Sequence, residues 1–165
     1  MQFKEEGVNI ILLNLEPAEP VEPPFTAMQG DATALTLFAN QSIDIVFSNS
    51  VIEHLYTWEN QQKMAAEVLR VGKHHFIQTP NYWFPIEPHW VLPFFQYLPK
   101  ALRCYMTQHF ALGHIGKIPN RELAKAQVEE IQLLTQTALK QLFPSSSLYK
   151  EKYAGLNKSF IAHSF

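Results

Sequence analysis

The sequence predicts an α/β fold: a mainly parallel sheet with helices on both faces and a C-terminal antiparallel hairpin. Three observations carry this. Residues 8–15 and 43–48 are short, nearly continuous apolar runs with β-branched content, the pattern of strands covered on both faces. A helical pattern separates the second run from another strand-like segment, which is the signature of a βαβ unit. Finally, residues 148–153 and 159–163 flank Ala154-Gly155-Leu156-Asn157, as in a hairpin at a sheet edge. With 165 residues, of which 47% are hydrophobic, the chain reads as one domain able to bury a core.

In chain order, the first strand, over residues 8–15, is stopped by Glu16-Pro17, and a proline-rich connector covers residues 17–24. A weaker strand over residues 25–29 ends at Gly30-Asp31. The third strand covers residues 43–48. A helix is predicted over residues 58–70, with Thr57 as cap, Glu59 in the first turn and Gly72 after the end. Its apolar face is read as Met64, Ala65, Val68 and Leu69. A fourth strand covers residues 73–79. Residues 82–118 are expected to form an irregular, aromatic and proline-rich cap within the single domain. Helical pattern returns at Arg121, uses Leu123, Val128, Ile131 and Leu134, and runs to Leu142 with a break at Thr135. Pro144 prevents its continuation.

The formal net charge of −2 gives no basic bias and argues against nucleic acid as the partner. The lone Cys104 fits a reducing compartment and is read as structural. The start is polar, no export signal is recognisable, and no apolar stretch is long enough to span a bilayer. The expected location is therefore cytoplasmic.

Ligands of open α/β sheets bind outside the carboxyl ends of the strands. Polar residues stand at all four predicted ends: Asn14 and Glu16, then Gly30-Asp31-Ala32, then Ser48-Asn49-Ser50 leading into Glu53-His54, then Thr79-Pro80-Asn81. Such residues can hold a polar cofactor laid across the sheet edge, and they also end strands for structural reasons.

Gly30-Asp31-Ala32, the run from Ser42 to His54, Ala66-Glu67-Val68-Leu69-Arg70-Val71 and the run from Gln78 to His89 together resemble class I S-adenosylmethionine-dependent methyltransferases. The likeness is to the methyltransferase type 11 branch. Leu142-Phe143-Pro144 and Lys158-Ser159-Phe160-Ile161-Ala162 extend it over nearly the whole chain. The resemblance implies a Rossmann-like fold, S-adenosylmethionine as cofactor and a small-molecule methyl acceptor. It implies that Asn14 or Glu16 contacts the cofactor ribose, that Asp31 accepts the adenine amino group beside the Ala32 backbone, and that Ser48 and Asn49 lie near the methionine moiety.

Measured against that family, the first strand and its glycine-rich turn should precede Val8, yet seven residues with one glycine stand there. The chain is thus expected to be truncated, with two inner sheet edges unpaired. A fragment, a mis-started reading frame and a degenerate paralogue all fit. His54 and His89 are the candidate bases for an acceptor that carries a proton, or else helix-start and cap-bracing residues. Some relatives bind a divalent metal through Glu-x-x-Glu-His. Ser50 replaces the first acid here, so no metal is expected. His74 and His75, adjacent on a strand, point to opposite faces and make a poor chelate. Trp83, Phe84, Trp90, Phe94, Phe95 and Tyr97 are expected mostly to pack the cap, with one or two lining an apolar acceptor pocket. The functional expectation is methyl transfer. The alternative is an inactive remnant acting as an interaction or dimerisation module through exposed sheet edges.

Overall fold

The computed structural model describes residues 7–17, 19 and 21–165. The polar start over residues 1–6, and Ala18 and Pro20 of the connector, lie outside the described residues.

Strand β1 (Ile10–Asn14) pairs in parallel with β2 (Phe25–Gln29), from Ile10 opposite Phe25 to Asn14 opposite Gln29. Strand β3 (Ile43–Asn49) leads through a 3-10 turn (Ile52–His54) into helix α1 (Trp58–Val71) and back into β4 (Gly72–Pro80), parallel to β3. After a two-residue pair, β5 (Ile86–Glu87) and β6 (Leu92–Pro93), come helices α2 (Lys100–His109), α3 (Arg121–Glu130) and α4 (Gln136–Leu142). Strands β7 (Ser147–Tyr153) and β8 (Leu156–His163) form the terminal hairpin, whose Ala154 and Gly155 both take positive φ, as a two-residue hairpin turn requires.

The main sheet has the order β3-β4-β8-β7, with β8 antiparallel to β4 and the hairpin at its edge. The β1–β2 pair is a separate sheet, so the described residues hold no ladder between β1 and β3.

Helix α1 starts where the sequence places it, with Thr57 Oγ1 accepting from the Asn60 N–H at 3.2 Å, a contact of the kind worth about 1 kcal/mol. Its buried face is Gln61, Met64, Ala65, Val68 and Val71. Leu69, assigned to that face from the sequence, is exposed, since it stands about 100° from Val68 around the helix. Gly72 does not take the left-handed cap either. Its φ is −90°, and a Cβ there would lie 2.8 Å from Val46 Cγ2, so close packing against β3 is what its small size permits.

Met64, Ala65 and Val68 of α1 and Leu139, Leu142 and Phe143 of the α4 region pack with Ile77, Phe160 and Ala162 of the sheet. A second cluster, Trp90, Phe95, Val128 and Ile131, joins the cap to α3, with Cys104 against it. The helical segment breaks after Glu130 and restarts at α4, where Thr135 Oγ1 caps by accepting from the Ala138 N–H. Leu123 faces solvent and Ala124 takes the buried position in its place.

Two expectations are corrected. Strands β1 and β3 are not covered on both faces: Phe47 is 69% exposed and Ile45 57%, and Ile11 and Leu12 are exposed too, because no described helix lies over them. The region read as irregular contains α2, whose buried Thr107 accepts from Trp90 Nε1 at 2.9 Å. Among the described residues no helix is long and apolar enough to cross a membrane.

Phe143 is fully buried, so Phe143→Ala should cost about 3–5 kcal/mol in urea unfolding, while Leu69→Ala should stay within about 0.5 kcal/mol. Burial, then the neighbouring His163 and His74, pushes the His75 pKa below 6.5, and its Nε2 lies 2.6 Å from Ser146 Oγ. The folded chain therefore binds fewer protons than the unfolded one. This contribution to stability is full above about pH 6.5 and is lost as pH falls through the lower folded value. Melting temperatures measured across that window should fall, and fall less in His75→Gln.

Candidate functional site

The parallel register of β3 and β4 sets Asn49 opposite Gln78, so the carboxyl ends of both strands open on the same side. Ser50, just beyond β3, takes a left-handed φ of 53°. Its N–H donates to the Gln78 carbonyl at 3.1 Å, and its side chain and that of Gln78 meet at 3.0 Å. This turn directs the chain into the 3-10 turn that carries Glu53 and His54. Gln61 of α1 braces that turn by donating to the carbonyls of Ile52 at 3.1 Å and Gln132 at 2.9 Å, while the Gln132 N–H donates to the Glu53 carbonyl at 2.7 Å.

Glu53 is fully buried. Its Oε2 accepts from Thr79 Oγ1 at 2.9 Å, and among the described residues its buried Oε1 has no hydrogen-bond partner. Burial pushes its pKa above the usual carboxylate value, against the opposing pull of its backbone and of Thr79.

His89 arrives from the loop after β5. Glu87, 1% exposed, shapes that loop: its Oε2 accepts from the His89 and Trp90 N–H groups, both at 2.7 Å, and its Oε1 lies 2.7 Å from His89 Nδ1. Gly113 closes over the loop at φ 56°. A Cβ there would lie 2.4 Å from the Trp90 carbonyl, so no larger residue fits. Burial opposes the charged form of His89, but the hydrogen bond and charge of Glu87 outweigh it and hold the imidazole pKa above its ordinary value.

The two candidate histidines are thus brought together. Their Nε2 atoms are 3.2 Å apart with the rings edge to face, and His54 Nδ1 lies 3.0 Å from Glu130 Oε1. Glu53 and Thr79 are among the polar strand-end residues to which the sequence points, whereas it does not single out Glu87, Glu130 or Gln61 as site residues. Glu53-His54 is also what remains of the metal motif that Ser50 interrupts, whereas Glu87 and Glu130 carry no local signal.

The residues matched to cofactor contacts are more dispersed. Asn14 ends β1, and its carbonyl accepts from the Gly30 N–H at 2.8 Å; Glu16 is exposed two residues on. Asp31 Oδ1 accepts from both the N–H and the hydroxyl of Thr33 at 2.8 Å, which fixes the carboxylate at the end of β2. Ala32 packs against the core beside Val46. The loop that follows is tied to α1: Arg70 donates to the carbonyls of Leu35 and Phe38, both at 2.9 Å, and Glu67 accepts from the Leu35 N–H at 2.6 Å. Ser48 Oγ is buried with no hydrogen-bond partner among the described residues, and Asn49 is exposed beside it. Asn81, by contrast, is a brace, donating from Nδ2 to the Asn157 carbonyl at 2.8 Å and accepting from the Trp83 N–H at 3.0 Å.

An open cleft of about 480 Å³ lies beyond β4 and β8, lined by Ser50, Gln78, Phe84, Ile86, Pro88 and Tyr153 among others. Of the cap aromatics Phe84 reaches this cleft, whereas Trp90 and Phe95 stack at 4.6 Å in the core.

Comparison with known proteins bears on this arrangement. Residues 6–75, which contain β1 to α1 and the ends of β1, β2 and β3, match the family described as "Methyltransferase domain". The matched segment is thus similar to methyltransferase domains. Two curated relatives, uncharacterized proteins from two strains of Mycobacterium tuberculosis, are each 31% identical over 106 residues, 64% of this chain. The chain spans about a third of their length, the match covering 33% of each. A solved structure from Bordetella parapertussis, described as a possible exported protein, superposes with a TM-score of 0.57 at 12% identity. It covers 95% of this chain and 53% of that one, and carries the fold likeness past the matched segment.

Glu87→Ala should remove the acceptor of two N–H groups and the partner of His89, costing about 1–3 kcal/mol for each buried group left unpaired. Denaturation midpoints should show Glu87→Gln, which keeps one acceptor oxygen, losing distinctly less.

Proposed function

We propose that this chain binds S-adenosylmethionine and directs methyl transfer to a small, apolar-bodied acceptor held in the cleft beside Phe84 and Ile86. The reading is supported by the methyltransferase-domain match falling on the segment whose polar residues end β1, β2 and β3. Ser48 Oγ, buried and without a partner among the described residues, is the observation that favours a polar ligand at these ends, since such a group costs free energy until it is hydrogen bonded.

When bound, the cofactor supplies an electrophilic methyl group on sulfur. The protein's part is to hold and align. Asp31, already oriented by Thr33, would accept the adenine amino group beside the Ala32 backbone; Asn14 or Glu16 would hold the ribose; Ser48 and Asn49 would face the methionine end. For an acceptor that carries a proton, the His54–His89 pair is the group placed to receive it, because Pro88 on the cleft wall directly precedes His89.

A second reading, self-association through β3, is favoured by its place at one end of the main sheet among the described residues, with Phe47 and Ile45 exposed on its face. Light scattering giving only monomer across a broad concentration range would remove it.

Calorimetry with S-adenosylhomocysteine tests the first reading. One-to-one binding that weakens at least tenfold in Asp31→Ala is expected. A folded chain that does not bind, or binds equally well without the Asp31 carboxylate, would overturn the assignment.

A further inference from the structure

The meeting of Glu53, His54 and His89 carries an inference that stands apart from methyl transfer. One ligand atom from each lies within 4.8 Å of the others. The Nε2 atoms of the two histidines are 3.2 Å apart, close to the separation of about 3.3 Å between two imidazole nitrogens that each bind a tetrahedral zinc at about 2.0–2.1 Å.

The outer side of each ring explains why the inner nitrogens matter. His89 Nδ1 faces Glu87 Oε1 at 2.7 Å, and His54 Nδ1 faces Glu130 Oε1 at 3.0 Å. A carboxylate opposite each Nδ1 suits a proton on that nitrogen, and the Nε2 atoms are the ones that face each other. Two lone pairs at that distance repel unless something positive sits between them. The candidates are a proton and a metal cation, and Glu53 separates them. Its Oε1 is buried and, among the described residues, unpartnered, while Thr79 holds Oε2 at 2.9 Å. A proton shared between the rings leaves the Glu53 carboxylate out of the contact, whereas a cation engages it, because one of its oxygens lies within 4.8 Å of both histidines' ligand atoms.

We propose that Glu53, His54 and His89 form a divalent transition-metal site of the zinc class, with its fourth position open. Two imidazoles and a carboxylate are a donor set suited to zinc, and each ligand here has an outer partner of the kind that orients metal ligands: Glu130, Glu87 and Thr79. His54 keeps 33% of its side chain exposed, which provides a path for the ion and for a fourth, exchangeable ligand. The third ligand escapes sequence reading because His89 stands 35 residues from His54 and lies outside the motif that Ser50 interrupts. With the ion in place the two histidines serve as its ligands, and they are then not the proton acceptor of the reading above.

Competition calorimetry with zinc against a chelator of known affinity, on the untagged chain stripped of metal, is the test. One zinc per chain is expected, with a rise in melting temperature and at least a tenfold loss of affinity in His54→Ala and in His89→Ala. Circular dichroism establishes that each variant is folded. Should either variant fail to fold, the absorption of the cobalt(II) form of the native chain decides, an intense tetrahedral spectrum being expected. Absence of stoichiometric zinc binding by the folded native chain overturns the proposal, as does binding indifferent to both histidines. An imidazole proton shared between the rings in nitrogen NMR at saturating zinc overturns it as well. S-adenosylhomocysteine binding, measured separately without metal, reports on the methyltransferase reading alone, so the two can fail independently.

Discussion

The parallel pairing of β3 with β4, closed by α1, is the constraint from which the rest of the site follows. Parallel neighbours need a crossover, and α1 supplies one whose buried face packs onto the sheet through Met64, Ala65 and Val68. Because both strands run the same way, their polar ends open together. Asn49 therefore faces Gln78, and Glu53, five residues past Ser48, reaches back to Thr79 near the end of β4. Had β4 run antiparallel, Thr79 would lie at the far end of the sheet and Glu53 would be buried without a partner.

Around this frame two acids among the described residues, Glu53 and Glu87, are buried almost completely, and each has a different job. Glu87 organises backbone, ending one loop and aiming His89. Glu53 is half-satisfied among the described residues, and a buried carboxylate oxygen without a hydrogen-bond partner favours the binding of a cation or a proton. Hydrogen bonds from the Gln132 N–H to its carbonyl and from Thr79 to its carboxylate hold it in place, and Gln61 braces Gln132. On the cofactor side the organisation is looser. Arg70 and Glu67 hold the loop that follows Asp31, but β1 and β2 form their own small sheet.

Much of this was legible in one dimension. The cap at Thr57, the strands around residues 43 and 73, the break near Thr135 and the terminal hairpin depend on local chemistry, and they stand where it puts them. The polar strand ends could be named because an open α/β sheet uses them whatever its topology. His54 and His89 could be named as candidates, but not as neighbours. The exposure of Leu69 is not legible in the sequence, because the width of a buried helical face depends on what packs against it, and the apolar runs of β1 and β3 do not show whether a layer covers both faces.

Local periodicity, capping and turn chemistry in the sequence alone determined the order and kind of most elements, the α/β class and the residues at the strand ends. The tertiary structure alone decided which faces are covered, and that Glu53, His54, His89, Glu87 and Glu130 converge. The reason is physical. Secondary structure is set by neighbours within a few residues, whereas a contact such as that of His54 with Glu130, 76 residues apart, exists only once separate elements have packed.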